Sequence, residues 1–162
     1  MSLHAIKQLE GKTPKTEKYL SMIYGESATD ATESLIQAYK DIIQSIEKNL
    51  NFRRENIFTD ENGDEVPTVL SGADTENNTI IIYDAFFKKA EGDEKGLNAR
   101  STVILHEIAH LIGLEGDEEE RSLESAEALR NFTLLVCEII KPEDLFVGDE
   151  DDNEENAELI YK

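Results

Sequence analysis

Residues 103–112 read VILHEIAHLI, and no other stretch constrains the chain as strongly. Aliphatic residues fill most of these positions, so a helix here is buried over much of its circumference, yet two histidines and a glutamate lie within it. Burying two imidazoles and a carboxylate without partners is expensive. The segment therefore predicts a core helix with one face reserved for polar chemistry. Residues i and i+4 project from the same side of an α-helix, so His106 and His110 can each direct one ring nitrogen toward a common point. Glu107 stands about 100° round the axis from His106, at the edge of that face. Gly113 is placed to end the helix, which is expected over residues 97–112.

The rest of the chain reads as a frame around this helix. A loosely held arm is expected over residues 1–15, which carry Gly11 and Pro14, followed by a short helix over 16–23 that stops near Gly25. A longer helix begins at Asp30 or Thr32 and runs to Leu50, because Leu35, Tyr39, Ile42 and Ile46 recur at helical spacing. Residues 59–65, TDENGDE, are turn material with an Asn-Gly pair, and VPTVLSGA and NTIIIYDAFF supply two β-branched strands ending near Asp84. A short helix over 85–90 and a polar loop lead into the central helix. A last helix, carried by Leu123, Ala126, Leu129, Phe132 and Val136, extends to Ile140 ahead of Pro142. The pattern predicts one α+β domain over residues 16–148, whose catalytic character rests on the motif and the resemblance given below. Seven of the ten residues in DEDDNEENAE are acidic, so residues 149–162 read as an acidic disordered tail.

Composition excludes several classes of partner. The 162-residue chain carries 36 acidic against 16 basic residues, a formal charge of −20, which repels nucleic-acid phosphates and anionic membranes and leaves cationic or neutral partners. No Sec signal and no apolar run long enough to span a bilayer stand out, so a soluble monomer is expected, secreted or delivered as an effector domain. A single cysteine, Cys137, excludes an internal disulfide, and its apolar setting in LLVCEII suits a small buried hydrophobe.

The pattern His-Glu-x-x-His on a helix points to a divalent metal, with His106 and His110 as ligands and Glu107 as a general base that stays off the metal. A catalytic Zn2+ site takes three protein ligands, so a third is required downstream. Asp117, Glu118, Glu119, Glu120, Glu124 and Glu127 all qualify by type. Asp117 follows Gly113 and Gly116, where the chain can turn back; Glu124 and Glu127 lie on the next helix, as the third glutamate does in thermolysin-like gluzincins. Spacing leaves these alternatives open.

At this point the chain resembles the aspzincins, the deuterolysin and peptidyl-Lys metalloendopeptidase family, over most of its length. KYLSMIYGESATDATESLIQAYKDI resembles the family's early segment. NTIIIYDAFF resembles the edge strand before the metal helix, and STVILHEIAH its Thr-Leu-Ile-His-Glu signature. SAEALRNFTLLV resembles the later helix, with Ala128 and Asn131 matching its Ala-x-x-Asn pattern. The resemblance implies a zincin-like fold with a small sheet beside the motif helix, Zn2+ held by His106, His110 and Asp117, and Glu107 as base. It also implies an endopeptidase that hydrolyses peptide bonds by Glu-assisted attack of zinc-bound water, with an acidic pocket for basic substrates. The chain departs from the family in a shorter turn after the helix, in lacking its Thr, and in carrying Glu120 where the family has its transition-state Tyr. The oxyanion partner is therefore unassigned, Glu124 and Glu127 stay open as ligands, and a catalytically degenerate binding or regulatory domain is the alternative. The missing disulfides fit a bacterial relative.

Overall fold

Three helices open the chain, and the first of them lies where a loose arm is expected. In this computed structural model, which describes residues 1–25, 28–48, 50–88, 94–116 and 122–145, α1 spans Ser2–Gly11 and buries Ala5, Ile6 and Leu9. These three share one helical stripe, which packs on α3 (Ala28–Glu47). The expected N-terminal arm over 1–15 is thus corrected. Gly11 and Pro14 punctuate a tight junction: Lys12 takes the left-handed conformation that ends α1, and Pro14 is the first residue of α2 (Pro14–Tyr24). Proline suits that position because its missing N–H has no helical partner there anyway, and the Thr13 hydroxyl caps the Thr16 N–H at 3.1 Å.

The sheet follows. β1 (Asn51–Glu55) runs parallel to β5 (Thr79–Tyr83), and β4 (Ser71–Asp74) runs antiparallel to β5 on its other side. Between them a small hairpin pairs β2 (Phe58–Thr59) with β3 (Glu65–Val66) across the expected Asn-Gly turn, where Gly63 has φ +87° and Asp60 accepts N–H groups of Asn62 and Asp64. The expected edge position of NTIIIYD is corrected, because β5 is the central strand. Its near-continuous Ile run is buried at Ile80, Ile82 and Tyr83, as a strand covered on both faces requires. The edge beside the motif helix is the small-residue strand β4, SGAD.

After the short α4 (Asp84–Lys88), α5 (Glu94–Leu111) carries the motif across the sheet and against α6 (Ala126–Val136). Ile80, Leu105, Ile108, Ala109, Leu129, Phe132 and Leu135 join Tyr24, Leu35, Tyr39 and Ile42 in one core. α6 stops short of the expected Ile140. Glu138 takes φ +56°, Ile139 N–H bonds back to Leu134, and the chain turns away before Pro142. The fold is α+β. Among the described residues no helix is long and apolar enough to cross a membrane. The expected tail at 149–162 lies outside the described residues.

Candidate metal centre

The end of α5 sets the geometry of the site. Gly113 holds φ +98°, its N–H bonds to His110 O at 2.9 Å, and Leu114 N–H bonds to Ala109 O at 3.0 Å. This pair of bonds closes the helix and folds the chain back over its last turn. The fold-back brings the Leu114 carbonyl to 2.7 Å from His110 Nδ1. A carbonyl only accepts, so Nδ1 carries a proton and Nε2 is the nitrogen left to face His106.

His106 is oriented from a different element. Its Nδ1 lies 3.3 Å from Glu127 Oε2, at ion-pair distance, in the first turn of α6. Across this ion-pair contact the carboxylate, which only accepts, favours a proton on Nδ1. The two Nε2 atoms then face each other at 3.0 Å, with the rings near perpendicular at 89°. Two lone pairs at that distance repel unless a proton or a cation lies between them. Two Zn–N bonds of about 2.0–2.1 Å meeting near the tetrahedral angle span about 3.3 Å. The residues present therefore fit a divalent metal at two of its positions.

A proton between the two Nε2 atoms is the alternative to a cation, and the charges around His106 favour one. Burial on its own lowers the pKa of His106, but contact with Glu127 and the charges of Glu127 and Glu107 outweigh burial and raise it. Burial on its own raises that of Glu127, but His106 and the Arg130 guanidinium hold the carboxyl below its ordinary range. Arg130 is 5% exposed, and its Nη1 donates to Glu127 at 3.0 and 3.2 Å.

Glu107 faces a cavity of about 700 Å3, with His106 and His110 beside it and Ser71, Gly72 and Ala73 of β4 on the opposite wall. Ser71 pairs with Ile82, whose side chain points into the helical core, so the serine projects to the same side and donates to Glu107 Oε1 at 2.7 Å. Glu107 is 7% exposed. The hydroxyl satisfies one of its oxygens, fixes the carboxylate and leaves the other for the cavity.

The structure brings together His106, Glu107 and His110 of the expected site. Asp117 lies outside the described residues, and among those described no group of three His, Cys, Asp or Glu side chains surrounds a metal position. The alternatives Glu124 and Glu127 take other places. Glu124 is exposed and off the cavity wall, and Glu127 faces Nδ1 of His106 rather than Nε2. Sequence reasoning missed Ser71 and Arg130. Nothing local marks Ser71; Arg130 was legible as a charge on the apolar face of α6, between Leu129 and Phe132. No family model, curated protein or solved structure matches the chain.

Proposed function

We propose that the chain is a zinc-dependent endopeptidase of zincin-like architecture, a divergent relative of the aspzincins. The observation that carries this reading is the convergence of two imidazole Nε2 atoms, 3.0 Å apart, beside a carboxylate on a strand-walled cavity. His106 and His110 hold the metal, and Asp117, next after Gly116 in the sequence, is the third ligand we assign by chemistry. Zinc bound there supplies Lewis acidity toward a scissile carbonyl and toward a water molecule.

The protein's own groups perform the remaining steps. Glu107, braced by Ser71, takes the proton of the attacking water on its free oxygen and delivers it to the departing amine. The edge of β4 offers an extended peptide backbone-pairing groups along the cavity wall. Glu115 on that wall and the overall charge of −20 favour a substrate with basic side chains.

The test is Glu107→Gln, whose amide oxygen still accepts from Ser71. Protein purified without chelators is expected to hold one zinc per chain in both forms, with casein or peptide cleavage falling by about 10²-fold or more in the variant. Full activity in the variant refutes the role of Glu107. Zinc without turnover in the unaltered protein favours a binding module instead.

A further inference from the structure

Glu127 and Arg130 lie behind His106, on the far side of the ring from the cavity, and the reaction uses neither directly. We propose that they form a clamp that positions His106 for the metal, with Glu127 orienting the ring and Arg130 fixing Glu127; this rests on the zinc reading above. Arg130 is nearly inaccessible and permanently charged, so it requires an anion. Glu127, one helical turn earlier on α6, supplies one, at 3.0 and 3.2 Å from Nη1.

Placed in this way, the carboxylate favours an N–H on the ring nitrogen it faces at 3.3 Å. That preference keeps the His106 proton on Nδ1 when Nε2, the atom turned to His110, holds the metal. His110 obtains the same tautomer from the Leu114 carbonyl within its own helix end. Of the two orienting contacts, that of His106 comes from a second helix, so the docking of α6 on α5 is coupled to metal affinity. Glu127 is accordingly a positioning residue and not a third ligand.

The experiment titrates Zn2+ against a chromophoric chelator and records the Co2+ absorption bands for the unaltered protein, Glu127→Ala and Glu127→Gln, with melting curves taken metal-free. A neutral amide has one oxygen to share between His106 and Arg130, so Glu127→Gln keeps the shape but loses one contact. Zinc affinity is expected to fall by up to about 100-fold in the alanine variant and by about tenfold in the glutamine variant, with altered Co2+ bands. A structural role alone moves the melting curve and leaves the Co2+ bands of the isosteric Glu127→Gln unchanged. Unaltered zinc affinity and Co2+ bands in Glu127→Gln overturn the clamp while the zinc reading stands. Absence of zinc binding by the unaltered protein overturns the zinc reading itself, and the clamp with it.

Discussion

Replacing Gly113 by alanine isolates the backbone device that ends α5. A Cβ at this position meets no atom within 4 Å, so the substitution adds no clash, and its whole cost comes from φ +98°. An L-residue in the left-handed region costs about 1–2 kcal/mol. For a chain of this size each kcal/mol lowers the melting temperature by about 2–4 °C, giving a drop of roughly 2–8 °C. The alternative is relaxation of the turn, which breaks the Gly113 and Leu114 hydrogen bonds and withdraws the Leu114 carbonyl from His110 Nδ1. Zinc affinity then falls as well, by about tenfold. Thermal unfolding in chelator reads the first effect, and a zinc competition titration reads the second. Gly113→Asn, which tolerates left-handed φ, is expected to lose less on both counts. An alanine variant that melts with the unaltered protein and binds zinc equally well refutes the claim that this glycine holds the site.

Two further outcomes test the frame. Leu9 is 1% exposed in α1, so Leu9→Ala should cost about 2–5 kcal/mol in urea unfolding; no change would mean that this segment is dispensable. Burial pushes the Tyr39 phenol well up, although its hydrogen bond to Thr133 works the other way. Stability from keeping it neutral is complete below its unfolded pKa of about 10 and declines as pH rises above that value. Thr133 Oγ1 already donates to Leu129 O, so Tyr39 donates at 2.7 Å, and Tyr39→Phe should cost about 1 kcal/mol at neutral pH. The same variant should flatten the alkaline decline, leaving the shares that Tyr24, Tyr83 and Cys137 contribute. Identical slopes of urea midpoint against pH in both proteins would refute that assignment.

The long helices were legible because apolar spacing within one segment decides them: Leu35, Tyr39 and Ile42 are buried as their periodicity requires. α1 is hidden because Gly11 and Pro14 read as signs of a loose end, although Thr13-Pro14 is equally a helix start. β1 was missed for a different reason. NFRRE is exposed along nearly its whole length and shows no alternation, so only its pairing with β5 makes it a strand. The central place of β5 is likewise a property of two neighbours, and a run such as TIIIY announces burial on both faces without saying what lies beside it.

The site divides along the same line. His106, Glu107 and His110 were readable because one helix fixes their relation. Glu124 and Glu127 were grouped with Asp117 because all are carboxylates within reach of the motif. A histidine, however, has two nitrogens with separate tasks, one for a metal and one for the group that orients the ring. Sequence names the residue and not the nitrogen. The same carboxylate is a ligand if it meets Nε2's partner and a support if it meets Nδ1, and the difference depends on how α6 lies against α5. Glu127 meets Nδ1 with Arg130 behind it, which turns a candidate ligand into a reason for the ring's orientation.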